Sequence, residues 1–230
     1  MGPRDHYRHI LRSISSVNGI LILFATIGLS SHTATGQPSE PSTETFAMIE
    51  ENDMGQWKTA PFASEGNIDV RDGVLYTGLG AYLSGVVWNE EPPARDQYEI
   101  ELEARKVWGN DFFLGLTVPA GNQYCTWIVG GWGGTVVGLS DIDGRSADNN
   151  ETTRKMSFET KRWYHFKIRV AEQRIQCWID GVRIIVLDTT GKKLTLRPGP
   201  IVDSKPLGLA SYDTIAEYRN MTWRSVSPNP

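Results

Sequence analysis

Residues 162–187 read RWYHFKIRVAEQRIQCWIDGVRIIVL, and this stretch decides the fold class. Over 163–170 the side chains alternate in character. Tyr164, Phe166, Ile168 and Val170 share one face, and Trp163, His165, Lys167 and Arg169 the other. That is the period-two pattern of a half-buried strand. The polar run 171–174 reads as a loop and 175–179 as a returning strand. Asp180-Gly181 then supplies the positive φ angles of a tight hairpin turn, and the β-branched run 182–187 reads as a third strand. Three antiparallel strands in succession make a β-meander, whose apolar face the rest of the chain must cover.

Working outward, short strands and turns continue. Residues 67–70 and 74–77 flank Asp72-Gly73; 85–88 ends at Glu90-Glu91-Pro92-Pro93, which cannot sit inside a sheet. Residues 97–105 alternate strictly and 111–118 form an apolar run. Segments 124–129 and 135–139 flank the corner Gly130-Gly131-Trp132-Gly133-Gly134, and 207–212 and 216–223 close the series. With almost no helical periodicity, this spacing predicts an all-β sandwich of two antiparallel sheets.

The first 36 residues read as a leader. Arg4, Arg8 and Arg12 precede the apolar run 20–29, ILILFATIGL. That run is shorter than the roughly 20 residues of a membrane span and suits a signal-peptide core, with Ala34-Thr35-Gly36 before the cut. An uncleaved N-terminal anchor is the alternative. Residues 37–45 (QPSEPSTET) form a Pro/Ser/Thr linker, 46–226 the folded domain and 227–230 a tail. Cleavage removes three Arg and one Asp from totals of 23 basic and 27 acidic side chains, leaving a net charge of −6. Such a surface argues against nucleic acid, which binds clustered Lys and Arg. The expectation is an exported protein that is not integral to a membrane once the leader is cut.

Eight Trp and eight Tyr supply rings that stack on the apolar C–H faces of sugars, or that fill the space between sheets. Trp108, Asn110, Trp127 and Trp132 are the candidates for a sugar-facing cluster, with Trp132 made prominent by the surrounding glycines. The most polar loop holds Asp141, Asp143 and Arg145, with Asn149, Asn150 and Glu151 beyond. It reads as a solvated Asp-Gly turn or a rim for sugar hydroxyls. Its Asp-x-Asp-Gly can also offer oxygens to Ca²⁺, although it lacks the twelve-residue calcium-loop pattern, so no metal ligand is assigned. Glu99, Glu101 and Glu103 share one strand face. Their spacing is compatible with a retaining carboxylate pair, but the alternation makes a solvated outer face the stronger reading. His6, His9 and His32 precede the domain, leaving only His165, beside Trp163, which removes most zinc and His-base chemistry. Cys125 and Cys177 both fall in strands; a disulfide and two buried thiols are equally compatible with that.

Several segments together resemble the 3-keto-disaccharide hydrolase domain family. They are Phe46 onward to Trp57, Val70-Arg71-Asp72-Gly73-Val74-Leu75, the strand from Tyr98 to Arg105, Trp108-Gly109-Asn110-Asp111-Phe112, Trp163 with Ile179-Asp180-Gly181, and Gly208-Leu209 with Tyr218-Arg219-Asn220-Met221. The resemblance implies a concanavalin A-like jelly roll, a carbohydrate partner and hydrolysis of 3-keto disaccharides or glycosides. The family usually carries Gln and then His after its closing G-x-I-x-L segment; here Ala210 and Tyr212 stand there, followed by Asp213. Tyr212 and Asp213 therefore join the substrate-binding candidates, and Asp141, Asp143 and Arg145 are the candidate catalytic groups. A ketone acidifies the neighbouring C2 proton, so a base can eliminate the aglycone without a two-carboxylate pair. The alternative is a non-catalytic carbohydrate-binding or cell-surface interaction module.

Overall fold

Alternation of apolar and polar side chains marks the strands of one sheet, each with one buried face, whereas most strands of the other are buried on both faces. The computed structural model describes residues 45–62 and 66–227; the leader and the linker up to residue 44 lie outside the described residues. In chain order the strands are β1 (Thr45–Ala47), β2 (Trp57–Thr59), β3 (Ile68–Arg71), β4 (Val74–Thr77), β5 (Leu83–Trp88), β6 (Tyr98–Gly109), β7 (Leu114–Ala120), β8 (Gln123–Gly130), β9 (Val136–Ser140), β10 (Arg154–Lys155), β11 (Tyr164–Ala171), β12 (Arg174–Ile179), β13 (Val182–Asp188), β14 (Gly208–Tyr212) and β15 (Thr214–Ser225). Sheet 1 runs β13-β12-β11-β6-β15-β4-β3, with β1 against the far end of β15. Sheet 2 runs β10-β9-β8-β7-β14-β5-β2. Neighbours are antiparallel in both, and the sandwich expected from the sequence forms.

The meander is β11-β12-β13. Its first connection is tighter than the sequence implies: Ala171 pairs with Arg174, so only Glu172 and Gln173 turn the chain, with Gln173 at φ 55°. Asp180 (φ 48°) and Gly181 (φ 76°) make the second turn. From sheet 1, Tyr98, Ile100, Leu102, Phe166 and Ile168 face inward. Leu114, Leu116, Val118, Trp127 and Val129 meet them from sheet 2. The ring of Tyr98 stacks on Trp223 at 4.0 Å, and its hydroxyl donates to the Pro119 carbonyl at 2.5 Å. Trp127 meets Phe166 edge-on, with ring centroids 5.6 Å apart. Cys125 and Cys177 are free, buried thiols in this core. Burial pushes the Cys125 thiol up to about 12, and raises Cys177 as well.

The outer face of sheet 1 carries the three glutamates as rungs of an ion-pair ladder, so the solvated-face reading holds with one refinement. Glu99 is only 1% exposed. Arg169 from β11 donates to its Oε1 at 2.5 Å, and Arg224 from β15 bonds its Oε2. Glu101 faces His165 at 3.2 Å. Glu103 accepts from Arg219 at 2.6 Å and from Asn220 at 2.8 Å. The guanidinium groups of Arg105 and Arg219 both pack on Trp163, at 4.5 and 4.2 Å from its ring centre. These residues stand on the face opposite the core and serve the sheet.

Two outcomes follow for stability. Replacing both Arg169 and Arg224 by Met strands the Glu99 carboxylate out of water and costs about 3–5 kcal/mol, whereas Glu99→Gln costs less because both partner cations reach solvent. Urea midpoints of the variants give the order. Burial pushes the Glu103 carboxyl up, but hydrogen bonds from Arg219 and Asn220 with the Arg219 charge outweigh it, and its folded pKa lies below the ordinary range. The stability it contributes is full above the unfolded pKa and is lost as pH falls through the folded one. Wild type therefore exceeds Glu103→Gln by roughly 0.2–1 kcal/mol near neutrality, and the difference closes in acid. Paired unfolding curves across that range check it.

Candidate functional site

The outer face of sheet 2 differs from that of sheet 1. It carries Leu83, Val87, Ile128, Val136 and Ala210, so loops must cover it, and a second apolar cluster forms with Ala60, Phe62, Phe112 and Ala147. Close approach depends on small residues. A Cβ on Gly138 would come within 2.6 Å of the Ala147 carbonyl oxygen, and one on Gly115 within 2.8 Å of the Phe112 ring. The cover is incomplete. It leaves a hollow of about 370 Å³ lined by strand residues Leu83, Thr126, Ile128, Ser140 and Tyr212, by Asp111, Phe112 and Trp132, and by the loop 197–201. That volume is in the range of small-molecule sites.

Asp111 is held from several sides. Its Oδ1 accepts the Phe112 N–H at 2.8 Å and its Oδ2 the Gly133 N–H at 3.3 Å. Its own N–H donates to the Thr214 hydroxyl at 3.1 Å. The corner 130–134 presents Trp132 in the left-handed region (φ 49°, ψ 58°), between Gly130 at φ 79° and Gly133 at φ 82°. Arg197 lies over the Trp132 ring at 5.3 Å. Its cation therefore rests on a π face at the hollow's wall. On the floor a row of hydroxyls crosses the sheet. Thr117 and Thr126 hydrogen-bond at 2.8 Å, Thr126 pairs with Ser140 across β8 and β9, and Ser140 donates to Asp141 Oδ1 at 2.5 Å.

The structure brings some sequence candidates together and separates others. Trp132 and Tyr212 line the hollow. Asn110 is exposed beside Asp111, and Asp213 is exposed beside Tyr212. Asp141 is only 4% exposed and stands behind Ser140. Asp143 and Arg145 belong to an exposed turn, closed by the Ile142–Arg145 bridge, outside the hollow's lining. Asp143 Oδ1 accepts the Lys193 N–H at 2.9 Å. Trp127 is a correction: it shares a strand face with Cys125 and Val129, that face points inward, and the ring is fully buried. Trp108 is 57% exposed, on β6 in sheet 1, and does not line the hollow. Asp111, Phe112, Ser140 and Arg197 were not among the sequence candidates. Among the described residues, no three His, Cys, Asp or Glu stand close enough to share a metal ion. Nor is any described helix long and apolar enough to cross a membrane.

Residues 45–224 match the family described as the 3-keto-alpha-glucoside-1,2-lyase-like domain. No curated protein matches the sequence of the chain. Among solved structures, the Crh5 transglycosylase in complex with NAG is similar, with a TM-score of 0.55 at 12% identity, covering 83% of this chain and 86% of that one. The β-glucanase of Bacillus licheniformis has a TM-score of 0.51 at 10% identity, covering 80% of this chain and 98% of the other. At these identities the likeness is one of fold, the concanavalin A-like jelly roll.

The left-handed backbone at Trp132 makes a stability prediction. An L side chain there costs roughly 1–2 kcal/mol that glycine avoids. Trp132→Gly should therefore be more stable than Trp132→Ala by about 1 kcal/mol, although both delete the same ring. Denaturant titration of the two variants side by side measures the difference.

Proposed function

The chain belongs to the family of 3-keto-alpha-glucoside-1,2-lyase-like domains, and from that premise we propose that the hollow on sheet 2 binds a glycoside and cleaves its 3-keto form. The observation that carries the reading is one cavity in which a carboxylate, Asp111, and a guanidinium, Arg197, stand among the rings of Phe112, Trp132 and Tyr212. A pyranose has apolar C–H faces for the rings and hydroxyls for the polar groups.

A ketone at C3 makes the C2 proton acidic. The Asp111 carboxylate, aimed by the N–H groups of Phe112 and Gly133, takes that proton. The C2–H electron pair becomes the C1=C2 double bond as the C1–O bond to the aglycone breaks. The leaving oxygen acquires a proton from the Tyr212 hydroxyl, since Tyr212 lines the hollow and the Ser140 hydrogen is committed to Asp141. Arg197 stabilises negative charge developing on the C3 oxygen. Addition of water across the new double bond, OH to C1 and H to C2, completes a net hydrolysis. Asp141 acts through Ser140, fixing the direction of its hydroxyl. The leader belongs to the same proposal: cleavage after Gly36 releases an exported enzyme that meets its glycoside outside the cytoplasm.

One observation favours a second reading. Tyr212, at the position where the resemblance leads one to expect His, lines the hollow itself, so the changed residue is a group of the site. A domain without that His can bind a sugar and stop there. A disaccharide and its 3-keto form, offered to wild type and to Asp111→Asn, separate the two. The lyase reading expects turnover of the keto form alone, falling roughly 10²–10⁴-fold in Asp111→Asn with binding retained. Binding without turnover by wild type establishes the module.

A further inference from the structure

Aromatic rings continue past the mouth of the hollow. Phe112 and Tyr212 lie with centroids 5.9 Å apart and planes tilted by 32°, and Tyr212 and Tyr82 repeat the relation at 5.9 Å and 30°. What sets this row apart from the aromatic pairs of the core, such as Tyr98 with Trp223 and Trp127 with Phe166, is that it runs outward to solvent. The three outer rings form a stepped row. Backbone bonds hold its members in place: the Tyr212 N–H donates to the Phe112 carbonyl at 3.0 Å and the Asp213 N–H to the Tyr82 carbonyl at 2.9 Å. Exposure rises along the row. Phe112 is buried, Tyr212 half-buried, and Tyr82, at 66%, is the most exposed large apolar side chain among the described residues.

We infer that Tyr82, with the outer edge of Tyr212, is a second subsite that receives the aglycone as a pyranose ring. The inference rests on the proposed reading of the hollow and adds to it a specificity-determining residue: Tyr82, outside the lining, favours a leaving group that is itself a sugar. Phe112 and Tyr212 line the hollow and Tyr82 stands outside it, so the row leads from the reacting sugar towards solvent. Its step is close to the length of one pyranose in an extended glycan. The Tyr82 ring already packs beside Tyr212, so a sugar stacked on it costs the protein less side-chain freedom. An alkyl aglycone has no face to offer this ring and gains nothing from it.

The test compares a 3-keto disaccharide with the methyl 3-keto-glucoside on wild type, Tyr82→Ala and Tyr82→Phe, reading equilibrium affinity and turnover separately. Tyr82→Ala weakens binding of the disaccharide roughly three- to tenfold and leaves the methyl glycoside unchanged; Tyr82→Phe keeps the wild-type preference. Tyr82 is exposed, so circular dichroism of the variants matches wild type. An equal effect on both glycosides, or on neither, overturns the subsite while wild-type turnover leaves the lyase reading standing. A selective effect without any turnover supports the subsite and removes the lyase. Failure of wild type to bind either glycoside overturns both.

Discussion

Glu99 is held out of water in the middle of a sheet, and cations on the two flanking strands make that tenable. Arg169 and Arg224 reach it from β11 and β15, so the pairing of the three central strands of sheet 1 is an electrostatic arrangement as much as a hydrogen-bonded one. A slip of one residue would turn Glu99, Glu101 and Glu103 inward and send Tyr98, Ile100 and Leu102 outward. The ladder and the core thus specify the same register from opposite faces of β6. Sheet 2 has no comparable ladder. Its outer face is built for contact, and the hollow is what remains where its covering loops stop.

That division explains why the molecule has two unlike outer surfaces. On sheet 1 long charged side chains and Trp163 cover the strands themselves. On sheet 2 glycines let Phe112 and Ala147 lie directly on the strands. The ring of Phe112 consequently lines the hollow with Asp111 beside it, and the loop carrying Arg197 adds to the lining against Trp132. Strand residues make the floor and loop residues supply the charge. The base of the hollow is thus set by the sheet, while its charged groups lie on segments of the kind that vary most.

Legibility in the sequence followed the same line. The strands of the meander and of β6 were readable because each has one face wet and one dry, and alternation is then unambiguous. For β8 the alternation was equally clear but its direction was not: Thr126 and Ile128 against Cys125, Trp127 and Val129 could be read either way round. A preference for Trp as a sugar platform turned Trp127 outward, whereas the more apolar set in fact faces the core. The signal that would have corrected it is Thr126, a hydroxyl that needs a polar partner and finds one in Thr117 on the outer face. Arg197 was not legible at all. It lies in the loop 197–201, which carries no periodicity, and only the folding of that loop over sheet 2 brings it to Trp132. Asp111 stands in a segment that the resemblance covers, but its significance lies in the contact with Gly133, which no local reading supplies.

The two thiols lend themselves to a different use. Cys125 and Cys177 sit on opposite sheets, wholly within the core, and burial holds Cys125 as the thiol far above neutral pH. A water-borne alkylating reagent attacks thiolate and has no route to either sulfur while the sheets stay packed. Labelling therefore keeps time with the separation of the sheets and is blind to movement of the loops around the hollow. The molecule carries its own clock for the rarest of its motions.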